Sequence, residues 1–357
     1  MPNVMHTFLK AMMVGLAAMA AISCAGDDQP ELNQIQSVRV LATRVDKPYA
    51  APGETVNLES LVVDGRKVKP EPMRMFWLPI PCKNPGNDLY YNCFSSFASS
   101  FGGGASGGPA TPPPAGTDIT AFLKEGTSYS FQMPNDAISS HAAVSGTAAP
   151  YGLVILFNIA CAGSVRIVDP RKDTRQALPL GCFDKAGNLL GPDEFVFGFV
   201  RVFAYESIRN ANPTIDAVSF GPTKDTLAPV DLTPGSSGIE VEKCTEEKYE
   251  KCKENALQVV VPEAAQEVNP LEIDPESSQP LKEQVWVSFY TSAGRFKSDN
   301  KLMYDTRSSI VGDNQNILWG PKNTPTDEVA EGRGYLVVRD SRGGANWVEF
   351  PIRVRPQ

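Results

Sequence analysis

The chain has 357 residues and a formal charge of −8, enough length for roughly two domains and an acidic balance that excludes nucleic acid, since phosphate binding needs a basic face. With 42% hydrophobic and 21% charged residues, it is neither disordered nor filled with membrane spans. Its 30 prolines and 29 glycines favour short strands and turns over long helices, and two histidines leave little for His-based metal sites or triads.

At the amino end, Lys10 precedes the uncharged run Ala11 to Ile22. About 20 apolar residues are needed to cross a bilayer, whereas the apolar core of an export signal runs about 7 to 15. Residues 1–23 therefore read as a secretory signal. They end Ala21-Ile22-Ser23-Cys24, which resembles the lipobox of bacterial lipoproteins. That resemblance implies cleavage before Cys24, a diacylglycerol on its thiol and an acyl chain such as palmitate on its new amine. Two or more acyl chains hold a protein on a membrane stably. Ala25 rather than aspartate follows the cysteine, which by the same resemblance implies the outer membrane, at its periplasmic face or the cell surface. Residues 24–35 read as a polar tether.

The first predicted domain covers 36–208. Val38 to Leu41 begins a strand, Pro52-Gly53-Glu54 makes a turn, and Val56, Leu58, Ser60 and Val62 alternate with polar neighbours, the pattern of a half-buried strand. Further strands are expected at Arg74 to Leu78, carrying Trp77, and at Ser128 to Met133. Tyr151 to Ala160 and Phe195 to Tyr205 are nearly all apolar and rich in Val, Ile and Phe, so both are expected as central strands buried on two sides. Residues 95–116 are dominated by Gly, Ser and Pro and read as a disordered loop. The second predicted domain covers 213–357. It begins after Asn212-Pro213, runs through the alternating segment Val285 to Tyr290 and the strand Gly334 to Arg339, and ends with Val348, Phe350, Ile352 and Val354 on one face.

Such strand-and-turn grammar predicts an all-β fold of two tandem β-sandwich domains. Glu331-Gly332-Arg333-Gly334-Tyr335-Leu336-Val337-Val338 resembles the penultimate strand of an immunoglobulin-like domain, with Tyr335 in the tyrosine-corner position and Trp77 and Trp286 as core tryptophans. Val38-Arg39-Val40-Leu41-Ala42, Asn210-Ala211-Asn212-Pro213 and Arg339-Asp340-Ser341-Arg342-Gly343-Gly344 are similar to segments of myxobacterial-type envelope lipoproteins with tandem immunoglobulin-like domains. The resemblance implies a fold and an envelope location, not an activity.

Seven cysteines occur. With Cys24 as the anchor, Cys82, Cys93, Cys161, Cys182, Cys244 and Cys252 remain, an even set that reads as disulfides in an exported chain. Proximity favours Cys82–Cys93, Cys161–Cys182 and Cys244–Cys252. One continuous helix would hold the last two about 12 Å apart, beyond the roughly 7 Å that a disulfide tolerates. A short turn ending before Cys252 is therefore expected.

Chemistry-bearing motifs are weak. Gly102 to Gly107 fits a dinucleotide fingerprint, and Gly104-Ala105-Ser106-Gly107-Gly108 a nucleophile elbow, but neither has the strand–turn–helix context that its mechanism requires. A triad would have to use His141, which is expected as an exposed loop residue. Asp299, Asn300, Asp313, Asn314 and Asp340 suit calcium by ligand type, yet their spacing reads as turn chemistry. No cofactor and no metal are expected. The sequence thus predicts a non-catalytic, membrane-anchored envelope lipoprotein, a binding or adhesion module. Its partner would be an envelope protein or polysaccharide, bound on loops, strand edges or an exposed aromatic row with Trp319 or Trp347. The alternatives are a structural spacer or assembly factor and, behind it, a hydrolytic enzyme.

Overall fold

Four sheets hold most of the strand residues among the described residues, and they come as two facing pairs. The structure is a computed structural model and describes residues 32–94, 113–141, 149–169, 179–307, 314–322 and 331–356. Its elements are strands and short 3-10 turns.

In the first pair, strand Val38–Val45 lies antiparallel to Thr55–Asp64, which in turn pairs with Ser128–Gln132. The facing sheet runs in the order Tyr49–Ala50, Phe195–Ala204, Gly152–Cys161, Arg74–Trp77 and Lys124–Glu125. Alternation explains the core between them. Val38, Val45, Val56, Leu58 and Phe131 from one sheet meet Met75, Trp77, Val154, Leu156, Ala160 and Val202 from the other. Burying such side chains contributes about 1.5 to 3 kcal/mol each. Gly152–Cys161 is buried at every position because its other face is covered too. There Leu153, Ile155, Phe157 and Ile159 pack with Phe76, Leu78, Val165 and Leu180, under the hairpin of Ser164–Ile167 with Leu180–Phe183.

The second pair repeats the plan. One sheet carries Ala217–Gly221, Asn255–Val260 and Gln315–Trp319, flanked by Ala228–Pro229 and Arg295–Phe296; the other runs Ile239–Glu242, Ala345–Arg355, Glu331–Asp340, Val285–Thr291 and Asn300–Tyr304. Their core holds Val259, Leu318, Val287, Phe289, Phe296, Leu336, Phe350 and Ile352. In both pairs a short strand runs parallel to the long last strand at its carboxyl end: Tyr49–Ala50 beside Phe203–Ala204, and Ile239–Glu242 beside Ile352–Arg355.

The two halves press together through outward faces. Ile35, Leu41, Ala42 and Leu61 pack on Tyr335 and Val337, with Val63, Tyr290 and Trp347 around them. Three expectations are revised. Tyr335 faces the joint rather than the sandwich interior, so it does not take a tyrosine-corner role. Trp286 alternates with the buried Val285 and Val287 and so sits half-buried on the outer face, while Trp77 is in the core as expected. The predicted tether also ends early, because Asn33 is buried and donates from Nδ2 to Phe296 O at 2.8 Å and to Asp299 Oδ1 at 2.6 Å. The Ile35 and Thr291 N–H groups add bonds of 2.8 Å to Thr291 O and Asn33 O.

Phe195–Ala204 is the largest departure. It is not a central strand. Apart from Phe203–Ala204, one long side of it has no strand neighbour among the described residues, and most of its side chains are half-buried.

Candidate functional site

The open side of Phe195–Ala204 borders a cleft of about 710 Å³. Val196 to Arg201 form one bank, Val40, Ala42 and Thr43 the other, and Ser341, Arg342 and Gly343 of the second half close one end. The strand's bonding alternates. Phe203 N–H donates to Pro48 O at 3.3 Å, on the side away from Gly152–Cys161. In an antiparallel ladder the N–H and C=O of one residue point the same way, so Phe195, Phe197, Phe199 and Arg201 direct theirs away from Gly152–Cys161, the last three into the cleft. None of these outward groups has a hydrogen-bond partner among the described residues.

At the floor lies Asn158, 2% exposed and in register with Gly198. Its Oδ1 accepts no hydrogen bond among the described residues. Leaving a buried acceptor unsatisfied costs about 1 to 3 kcal/mol. Gly198 makes this arrangement possible: a Cβ there would stand 2.5 Å from Asn158 Oδ1. Around the rim, Arg201 lies over the Phe199 ring at 5.0 Å, and Phe199 stacks on Tyr90 with centroids 4.6 Å apart.

The cleft's end wall is fixed by a buried polar junction built from motif residues. Asp340 Oδ1 accepts the N–H groups of Arg342 and Gly344, both at 2.8 Å, and Asn210 Nδ2 donates to Asp340 Oδ2 at 3.2 Å. Arg342 donates to Glu283, to Glu267 Oε2 at 2.7 Å and to Arg209 O at 3.1 Å. Asn212 donates to Val45 O at 2.8 Å and accepts the Ala345 N–H at 2.9 Å, while Arg339 donates to Leu41 O. Gly344 is required by closeness, since a Cβ there would lie 2.0 Å from Asp340 Oδ2. Burial raises the Glu283 carboxyl to about 7, with Asp340 adding to the rise and Arg342 opposing it. Burial likewise raises Asp340, against its bonds from Gly344, Arg342 and Asn210. The tyrosine hydroxyl of Tyr49, beside Arg342, is raised chiefly by burial.

The other predicted residues sit as follows. Cys24 lies outside the described residues, as do most of 95–116 and Asp313. Cys82 pairs with Cys93, Cys161 with Cys182 and Cys244 with Cys252, with Cα separations of 5.8, 5.7 and 5.4 Å. A 3-10 turn at Tyr249–Lys251 ends just before Cys252 and brings the last pair together. Cys161–Cys182 ties the central strand to its covering hairpin across a separation of 21 residues. Replacing both by alanine is expected to lower stability by about 3 kcal/mol, from loop closure alone. Urea unfolding measures this, and a loss under about 1 kcal/mol would refute the sulfurs' stapling role.

His141 is not an exposed loop residue. Its side chain is 9% exposed, its Nε2 lies 2.9 Å from Asp88 Oδ1, and its ring rests 4.4 Å from that of Tyr151, whose hydroxyl donates to Asp88 Oδ2 at 2.5 Å. Trp319 and Trp347 form no exposed aromatic row: Trp319 is buried and stacked on Tyr249, and Trp347 is half-buried beneath the Arg44 guanidinium at 4.9 Å. Asp299 and Asp340 are spent on Asn33 and on the junction. Among the described residues no three His, Cys, Asp or Glu side chains gather as a metal site.

Asn158 and Gly198 escaped the sequence reading. The one signal for them was a polar residue and a glycine interrupting two otherwise apolar runs.

No protein-family model matches the sequence, and no curated protein matches it. Among solved structures the chain is similar to dimeric latent PorU from Porphyromonas gingivalis, at 11% identity over 93% of this chain and 25% of that one, with a TM-score of 0.19. It is also similar to the three N-terminal domains of the highly immunogenic outer capsid protein Hoc of bacteriophage RB49, at 9% identity over 90% of this chain and 100% of that one, with a TM-score of 0.15. The chain spans about a quarter of the PorU chain. Both similarities are weak, those of an all-β chain of several sheets, and they assign no family.

Proposed function

We propose that this protein is a non-catalytic binding module of the bacterial envelope, held to the outer membrane by an acylated Cys24 and built from two immunoglobulin-like β-sandwiches at 36–208 and 213–357. The observation that carries the binding role is the cleft along Phe195–Ala204, where among the described residues the outward backbone groups and the Asn158 amide oxygen at the floor have no partner. Two supports favour the rest. The short strand parallel to the last strand of each sandwich suits an immunoglobulin-like arrangement, and three disulfides suit a compartment outside the cytoplasm.

A pull-down from envelope extract with the detergent-solubilised chain tests the binding role. Wild type is expected to recover one stoichiometric protein or polysaccharide, and Gly198→Val, which fills the cleft floor, to lose it. Equal recovery by both, or none by either, would favour the spacer reading, for which the buried junction between the halves is the relevant feature. The anchor is tested separately. Fatty-acid labelling is expected on wild type and absent from Cys24→Ala, which leaves the membrane fraction; unlabelled wild type would remove the lipoprotein claim.

A further inference from the structure

The two sandwiches carry equivalent last strands, and their outward edges are finished differently. In Ala345–Arg355 the outward positions alternate from Ala345. The Ala345 N–H is taken by Asn212 Oδ1 and the Trp347 N–H by Asn346 Oδ1, both at 2.9 Å. Glu349 adds a charge, and Pro351, just ahead of the parallel-paired stretch, has no N–H to offer. These are devices that blunt a sheet edge against pairing. The matching positions of the first sandwich are Phe195, Phe197, Phe199 and Arg201; Arg201 supplies a charge at one end, but among the described residues no side chain takes an outward N–H there and no proline interrupts the row.

We infer that this edge receives an extended peptide from a partner protein, which adds as one further strand to the first sandwich; the inference rests on the binding role proposed above. An unpaired ladder of N–H and C=O groups is complementary to the backbone of another strand, with pockets reading alternate side chains. A second copy of this chain does not suit the site. The edge is walled by Val40 to Thr43 on one side and Ser341 to Gly343 at the end, so a single strand enters where a folded sheet is obstructed. On the inner face the added strand passes Gly198 and meets Asn158 Oδ1, which selects a donor there: an amide or hydroxyl side chain. On the outer face its neighbours are Phe197 and Phe199, which select apolar side chains.

The test uses the folded, disulfide-intact chain and a displayed library of random heptapeptides. The expected result is enrichment of alternating peptides with Ser, Thr, Asn or Gln at one inner position, and slowed amide exchange at Phe197, Phe199 and Arg201 on binding. Methylating the peptide nitrogens that face the edge is expected to weaken binding at least about tenfold, the scale of a lost hydrogen bond or two, whereas methylating those that face away leaves it within about threefold. Arg201→Pro, which removes an outward N–H that no ladder bond uses, is expected to weaken it at least about tenfold while thermal unfolding stays that of wild type. A library with no enrichment over an unrelated sandwich protein overturns the inference, as do peptides that bind Arg201→Pro unchanged or protect amides elsewhere. A glycan array separates the two levels. A glycan that binds wild type and not Gly198→Val, with no peptide enriched, refutes strand addition and leaves the binding role standing; no ligand of either kind refutes both.

Discussion

Arg342→Ala is expected to destabilise the folded chain by about 3 to 5 kcal/mol, the range for removing one partner of a buried charge cluster. Arg342 is 4% exposed and faces Glu283 and Glu267, with Asp340 two residues away. Without its guanidinium three carboxylates are left at the junction of the two halves, and Arg209 O loses its donor. Denaturant unfolding followed by tryptophan fluorescence measures the loss, and a value below about 1 kcal/mol would sink the view of Arg342 as the junction's keystone. The same cluster has a pH signature. Burial raises the Glu283 carboxyl from an ordinary 4.5 to about 7 in the folded state. A raised folded value means that the protonated form is favoured by folding. The stability Glu283 contributes is therefore full below about pH 4.5 and is lost as pH rises through about 7, on the order of 3 kcal/mol in all. Glu283→Gln is accordingly expected to be relatively more stable at about pH 8 than at about pH 5 when each is referred to wild type. A difference that does not vary with pH would remove the assignment.

Trp77→Ala is expected to cost about 3 to 5 kcal/mol through lost transfer energy and the cavity left behind. Trp77 has no exposed surface. Its indole N–H donates to Gly126 O at 3.1 Å, and its ring stacks on Tyr129 with centroids 5.5 Å apart. Trp286→Ala provides the contrast. Trp286 lies half-buried on an outer sheet face, so about 1 kcal/mol is expected there, the scale of a cross-strand pair. Equal costs at the two positions would contradict this placement of the two rings.

Both tryptophans lie in strands, Arg74–Trp77 and Val285–Thr291, and the sequence alone gives them the same expectation. Period-two alternation told which residues share a face, as Val285, Val287 and Phe289 do. It did not tell which face another sheet would cover. Tyr335 shows the same gap: its strand was legible, but its burial against Leu41 and Leu61 depends on how the halves meet. Apolar richness misled at Phe195–Ala204 for a related reason. Gly152–Cys161 and Phe195–Ala204 read alike, yet one is covered on both faces and both edges while the other keeps an edge open among the described residues. Position within a sheet is set by long-range pairing, which local pattern does not encode. The motif segments fared differently. Asn210 to Pro213 and Arg339 to Gly344 stand out in the sequence by their resemblance to segments of envelope lipoproteins, and they meet at one junction. The cleft was invisible because its marks are an unfilled position at Gly198 and backbone groups without a hydrogen-bond partner among the described residues.

Asn33 to Ile35 are clipped onto the second sandwich before the chain enters the first. A pull applied through the residues ahead of Leu32 is thus delivered to the carboxyl-terminal module at once. The load reaches Thr291 and Phe296 without passing through the linker at Asn210 to Asn212. Both modules are then loaded at one attachment point, so such a pull does not by itself pry them apart.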